Sequence, residues 1–222
     1  MKKLLLFLIL VFGGILYSSV NEVNINNKGL EVKNGLITFN SENYTGIVRA
    51  DLAGGSGYFT LKNGYLSGQT DLKLKDLIFK FNVPDGYFDG ETVIQTALND
   101  RLEMFFERHE LKRYKINSQA FTLNINFGSD GRANGVVSFK SDQFRDSYFS
   151  KFGVKSDVSK LVYKNGSADL KDGKSLKLYV DKKSKKMVEE LFEGNVSTAK
   201  FEEDISKADL RGYQEFLIKV LN

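Results

Sequence analysis

Cysteine is missing from this 222-residue chain, as is tryptophan, and there is one proline and one histidine. Without cysteine there is no disulfide framework, no thiolate nucleophile and no cysteine-based zinc site. Lipid attachment through an N-terminal cysteine is excluded for the same reason. Chemistry that needs an imidazole must use His109. A single proline, Pro84, leaves no proline-rich linker or stalk. Charge of one sign is also scarce, with 32 basic residues against 28 acidic ones. That balance argues against nucleic acid as a partner, because such binding requires a dense basic face.

A long apolar run occurs once. Lys2 and Lys3 precede Leu4–Tyr17, which is broken only by Gly13 and Gly14, and the small residues Ser18 and Ser19 follow. This order of basic, apolar and small segments reads as a secretory signal peptide over 1–19, with cleavage near Ser19 or Val20. The run is shorter than the roughly 18–20 apolar residues that span a bilayer as a helix. An uncleaved membrane anchor is the alternative. Removal of the signal leaves 30 basic and 28 acidic residues, in a chain of about 200 residues that can bury a sizeable core.

What the chain has in quantity is aromatic: 18 Phe and 10 Tyr, which favour strands over disorder. The first half is also periodic. Tyr44-Thr45-Gly46, Gly64-Tyr65-Leu66-Ser67-Gly68 and Gly86-Tyr87-Phe88-Asp89-Gly90 resemble one another, and their last glycines lie 22 residues apart. Ile37, Phe59 and Phe81 stand nine positions before those glycines, and Phe39, Leu61 and Val83 stand seven before. An offset of two puts each pair on one face of a strand. Asn63-Gly64 and Asp85-Gly86 carry the dipeptides of two-residue hairpin turns. The second glycine of each unit lets a neighbouring strand or ring approach the backbone. Weaker echoes follow at Gly131 to Gly135 and at Asn165-Gly166. A fixed period of this length predicts hairpins that bury their apolar faces by stacking.

The run Gly35-Leu36-Ile37-Thr38-Phe39, Tyr44-Thr45-Gly46, Gly55-Ser56-Gly57-Tyr58 and Asn63-Gly64-Tyr65-Leu66-Ser67-Gly68 resembles bacterial MORN-variant repeats. The resemblance covers about residues 34–91. It implies stacked β-hairpins in a twisted ribbon-like sheet and a binding or scaffolding role; some members are antitoxins of toxin–antitoxin pairs. The family's frequent tryptophan is absent from this chain.

Beyond the repeats, Ile94, Leu98, Leu102, Phe105 and Phe106 recur at helical intervals and predict a helix over 92–115, with His109 on its apolar face. Residues 116–201 read as irregular strands with one short helix, Gln143–Phe152, carrying Phe144, Tyr148 and Phe149 on one side. Ser175–Lys182 and Lys186–Phe192 form a hairpin, or else Lys185–Glu193 forms a helix ending at Gly194. A C-terminal helix over 203–221 turns Leu210, Tyr213, Phe216, Leu217 and Val220 inward. The expected fold is α+β, mostly antiparallel β, with stacked MORN-like hairpins and a few amphipathic helices. Residues 20–222 read as one domain; the alternative is a break near Asp100–Lys115.

Chemical motifs are few. Ser197-x-x-Lys200 matches the spacing of serine acyl enzymes but lacks their partner motifs. Asp85, Asp89 and Glu91 could be taken for a glycosidase pair, yet they sit where hairpin turns use polar residues. No calcium loop pattern is present. Lys182, Lys183, Lys185 and Lys186 read as a solvated turn, with anionic head groups as the alternative contact. Exposed hairpin aromatics, Tyr65, Tyr87 and Phe88, are the candidate binding surface, and Gly46, Gly64, Gly68, Gly86, Gly90, Gly131 and Gly135 the repeat turns. The reading is an exported, non-catalytic binding or scaffold module of the cell envelope. It uses no cofactor, metal or nucleic acid, and its partner is a protein or an envelope polymer. The alternatives are an anchored membrane-surface structural protein and an antitoxin-like protein.

Overall fold

A computed structural model describes residues 21–221, apart from the side chains of Leu52, Phe216, Val220 and Leu221. The expected signal peptide therefore lies outside the described residues. The chain folds mostly as antiparallel β-structure. Its strands are β1 (Glu22–Asn24), β2 (Leu30–Lys33), β3 (Leu36–Phe39), β4 (Glu42–Asn43), β5 (Gly46–Leu52), β6 (Gly55–Lys62), β7 (Tyr65–Leu74), β8 (Leu77–Val83) and β9 (Gly90–Gln95). There follow β10 (Arg101–Glu107), β11 (Glu110–Asn117), β12 (Phe121–Phe127), β13 (Ala133–Phe139), helix α1 (Asp142–Ser150), β14 (Lys160–Tyr163), β15 (Ser167–Asp169), β16 (Lys174–Val180), β17 (Met187–Glu193), β18 (Val196–Glu203) and helix α2 (Leu210–Leu221).

Strands β5 to β14 form one antiparallel meander in chain order, and β1 joins its first edge in parallel with β5, making eleven strands. Strands β15–β18 form a second sheet and β2–β4 a third. The pairing registers explain why the large sheet holds together. Ala50, Gly57, Leu72, Phe79, Ile94, Leu102, Ile116, Leu123, Val137 and Leu161 stand opposite one another, strand after strand, across ten strands. The next row but one side-chain flip away reads Arg49, Tyr58, Asp71, Lys80, Val93, Glu103, Lys115 and Asn124. One face is thus apolar and the other largely polar, as the two-residue period of a strand requires.

The spaced glycines fall within this meander at differing strand positions. Gly46 and Gly90 open β5 and β9, and Gly68 and Gly135 lie within β7 and β13, so the glycines fall on alternate strands. Each stands opposite a buried residue: Gly46 faces Leu61, Gly68 faces Val83, Gly90 faces Phe106, and Gly135 faces Ile125. At Gly46 and Gly135 a Cβ would run into the backbone oxygens of Asn21 and Asn124, so the chain passes closest there, whereas Gly90 has open space beside it. The expected apolar positions Ile37, Phe59, Phe81, Leu61 and Val83 are all buried, and Phe39 packs against them half-buried. Asn63-Gly64 makes the expected two-residue turn between β6 and β7, with φ of +53° and +82°.

Asp85-Gly86 does not make such a turn. Residues 84–89 form a longer loop that pairs with the chain ahead of α2. Phe88 N–H donates to Ser206 O (2.8 Å) and Ala208 N–H to Gly86 O (3.0 Å). Pro84 has no N–H to offer the ladder, so β8 ends at Val83.

The helix expected over 92–115 is corrected to three strands, β9, β10 and β11. Leu102, Met104 and Phe106 alternate on the inner face, whereas the helical pattern had counted Leu98 and Phe105, which are 70% and 39% exposed. Asn99, and Arg108 with His109, take positive φ and close the two turns. Thr92-Val93-Ile94 is β-branched throughout, which suits a strand, and β8 supplies the edge on which β9 forms. Pairing between β9, β10 and β11 runs unbroken through 100–115, where the alternative reading placed a break.

One further boundary differs from expectation, and of the two readings left open at 174–193 the hairpin is the one that forms. The C-terminal helix begins at Leu210, not at 203, because Asp204 accepts from Ser206 Oγ and Lys207 N–H in a turn, and Asp209 then accepts from Gly212 N–H in the first turn of α2. Residues 174–193 form the β16–β17 hairpin rather than a helix. Lys185, at φ +61°, sits in its turn.

The helix expected at 143–152 is α1. Ser141 caps it by accepting from Phe144 N–H (3.3 Å). Replacing Ser141 with alanine is expected to cost about 1 kcal/mol, read as a lower urea midpoint with an unchanged slope. A loss below a few tenths would show that packing of Phe144 against Phe121 (centroids 4.3 Å apart) holds α1 without its cap.

The small sheet is stitched to the tips of the large one. Val180 N–H donates to Gly131 O, Leu178 N–H to Gly166 O, and Gly166 N–H to Ala133 O, each at 2.8 Å. On the other side α2 lies against the hairpins, with Tyr213 tilted over Phe81 (5.5 Å) and edge-on to Phe88 (6.2 Å). No helix among the described residues is long and apolar enough to cross a membrane.

Candidate functional site

The candidate contact residues separate in the structure. Tyr65 is 56% exposed and Tyr87 40%, but Phe88 is 3% exposed. Phe88 is therefore a core residue, stacked on Phe106 (5.5 Å, 19°), and is corrected from the binding surface. Its loop turns inward because its backbone pairs with Ser206. His109 is half-buried as expected but sits at a hairpin tip, with Nδ1 3.3 Å from Phe88 O and the Tyr87 ring 5.7 Å away. The glycines at 64, 68, 86, 90 and 131 take φ between +73° and +82°, and those at 46 and 135 take +153° and +146°.

The sequence motifs are occupied by structural contacts. A bulge in β18 brings Ser197 and Lys200 onto one face, where Ser197 Oγ donates to Glu190 (2.7 Å) and Lys200 pairs with Glu202 (2.8 Å). Its hydrogen bond to Glu202 holds the Lys200 ammonium above the usual lysine pKa, opposite to what a lysine base needs. Asp89 accepts from Arg108 N–H (3.1 Å) and Glu91 pairs with Lys80 (2.6 Å). The Lys80 hydrogen bond lowers the Glu91 pKa, away from the range of a general acid. In the lysine-rich turn, Asp181 accepts from Lys183 N–H and Ser184, Lys185 approaches Glu110 (3.7 Å) and Lys186 approaches Glu202 (3.4 Å).

A cluster missed by sequence reasoning lies where α1 meets the small sheet. Phe149 and Tyr148 turn the helix onto Phe139, and the chain leaves α1 through Lys151 and Phe152. Glu189, on β17, is only 13% exposed at its side chain. Its Oε1 accepts from Tyr148 Oη and its Oε2 from Lys151 Nζ. The Lys151 ammonium also lies 4.3 Å from the Tyr148 ring centroid, 4.8 Å from Phe152 and 5.7 Å from Phe201. Phe152 and Phe201 stand perpendicular at 5.0 Å, and Tyr148 meets Phe152 at 64°. Three rings and one carboxylate thus box a single cation.

Electrostatics in this cluster follow from burial. Desolvation pushes the Tyr148 and Tyr163 phenols well above their usual range, and nearby Glu189 adds to it. Tyr114, also raised by burial and then by Glu203, is pushed up to about 12. All three stay protonated at neutral pH. Tyr163 Oη is buried and interacts with the Tyr148 hydroxyl. Beside the box opens a cleft of 280 Å³ lined by Lys151, Met187, Glu189, Phe201, Glu202 and Glu203, three carboxylates to one ammonium. Lys186 and Lys200 pair with Glu202 from outside this lining. A larger groove of 860 Å³ runs between the end of α1 and the β15–β16 turn, where Lys171 pairs with Asp157 (2.7 Å) and Arg145 with Asp142 (2.7 Å).

Tyr148, Lys151 and Phe152 were within reach of a helical-face argument, but Glu189 and Phe201 come from strands and carried no local signal. The described residues contain no group of three or more His, Asp and Glu placed to hold a metal ion. The sequence matches no protein-family model and no curated protein.

Proposed function

We propose that this chain is an exported, non-catalytic binding or scaffold module of the cell envelope, built on stacked MORN-like hairpins. The observation that supports it is the division of the large sheet. Its apolar face is covered from within by α2, α1 and the small sheet, while its polar face remains a broad, regular surface of alternating charge with Tyr58 and Phe105 among it. A rigid antiparallel sheet of this width offers contact area without ordering cost on binding. Exposed Tyr65 and Tyr87 suit the contact role, as tyrosines do at interfaces. The partner is a protein or an envelope polymer, and neither a cofactor nor nucleic acid is required. The basic n-region, apolar run and small residues of 1–19 support export.

The test is fractionation of cells expressing the full chain, with N-terminal sequencing and in-cell crosslinking. The expected result is an exported species beginning near Val20, crosslinked to a partner. Tyr65→Ala with Tyr87→Ala should cut that crosslink about tenfold while leaving the fold intact. A membrane-bound species retaining Met1 would mean an anchored surface protein. An intact chain in the cytosol overturns the proposal and favours the antitoxin-like reading.

A further inference from the structure

We infer that Tyr148, Phe152, Phe201 and Glu189 form a recognition cage for a quaternary ammonium cation, and that Lys151 occupies it as an exchangeable internal plug. The cage has the two parts such a site requires: ring faces that present negative charge to a cation and a carboxylate that neutralises it. Its walls meet at steep angles, so an ammonium group touches several faces at once. Its floor is shielded from solvent, since the Glu189 side chain is 13% exposed and the Tyr163 side chain is buried.

The plug, by contrast, has a way out. Lys151 follows the last turn of α1, its side chain is 34% exposed, and the 280 Å³ cleft beside it opens past Phe201. A primary ammonium is strongly hydrated and gives up much of that hydration in the cage. A trimethylammonium group is weakly hydrated and loses less, while its bulk fills the space between the rings. Lys186 and Lys200 neutralise Glu202, which leaves Glu203 as the rim carboxylate that draws cations to the cleft. The ligand class is therefore a choline-type cation, free or as a lipid head group. This site does not depend on the role proposed for the sheet: export and crosslinking can fail while the cage still binds.

The test is NMR titration of the intact folded protein with choline chloride, following aromatic resonances. Choline is expected to shift Tyr148, Phe152 and Phe201 in the natural sequence. Lys151→Gln should bind about tenfold more tightly, as expected if the plug leaves the cage open about a tenth of the time. Phe201→Ala, at a position 40% exposed and so tolerant of change, should remove binding from both backgrounds. Co-sedimentation with phosphatidylcholine vesicles, against phosphatidylglycerol vesicles as control, would assign the source to a lipid head group; its failure alongside positive titration assigns it to a free cation. A folded Lys151→Gln protein without choline shifts overturns the inference, as does binding that survives Phe201→Ala. If Lys151→Gln fails to fold, the absence of shifts in the natural sequence overturns it instead.

Discussion

Replacing Gln214 with leucine is expected to remove about 2–3 kcal/mol of stability, although the two side chains are similar in size. Gln214 is a buried polar residue on α2. Its Oε1 accepts from Leu66 N–H (2.8 Å), and its Nε2 donates to Gly35 O (2.7 Å) and Gly64 O (3.0 Å). One side chain therefore satisfies backbone groups of two hairpin turns about 150 or more residues away. Gly64 O retains a second donor in Ile37 N–H (3.1 Å), so the main penalty falls on the Leu66 N–H, left buried and unpaired. Urea unfolding should show a lower midpoint at unchanged slope, with the melting temperature falling by about 5–10 °C. A loss under about 1 kcal/mol would mean that α2 relaxes enough for water to take over the contacts.

Gln214→Glu sharpens the same expectation. A carboxylate there can accept from Leu66 but would face two carbonyl oxygens with nothing to donate. Both burial and those oxygens disfavour its charged form, so its folded pKa rises above the unfolded value near 4. A group with a raised folded pKa contributes fully below the unfolded pKa, and that contribution is lost as pH rises towards the folded one. The variant should therefore be least stable at neutral pH and recover relative to the natural protein near pH 4. Stability that instead falls in parallel with the natural protein over that range would show that the carboxylate is solvated.

Gly131→Ala is expected to cost about 3 kcal/mol and to act on one part of the molecule. At φ +82° a side chain is disfavoured by about 1 kcal/mol. A Cβ at this position would also fall inside the van der Waals radius of the Val180 carbonyl oxygen, a backbone atom that cannot rotate away, which adds the overpacking cost of roughly 1–3 kcal/mol. The displaced strand is the one whose Val180 N–H bonds to Gly131 O (2.8 Å). The variant should thus loosen the β15–β18 sheet from the large one. Hydrogen exchange is expected to accelerate at Leu178 and Val180 more than at Leu72 or Ile125 in the core of the large sheet. Uniform acceleration would show that the two sheets unfold as a single unit.

Much of the first half was legible because its rules are local. The Asn63-Gly64 turn is set by backbone sterics of two adjacent residues, and the apolar pairs Ile37–Phe39, Phe59–Leu61 and Phe81–Val83 face one way because strand side chains alternate. Helix α1 was readable for a similar reason, through the spacing of Phe144, Tyr148 and Phe149. The stretch after Glu91 was not readable, because its apolar residues satisfy a helical template and an alternating one together. A neighbouring strand decided between them.

From its own order of residues the chain determined that antiparallel hairpins would form and that one face of the sheet would be apolar. Those outcomes depend on φ preferences and side-chain direction over a few neighbouring positions. Tertiary structure alone decided that 92–115 would be strands, that Phe88 would turn inward while Tyr87 stayed exposed, and that Gln214 would serve turns at Gly35 and Gly64. It also brought Glu189 and Phe201 to Lys151. Each of these depends on register between segments far apart in the chain, and a strand's hydrogen bonds, unlike a helix's, are completed by residues outside it.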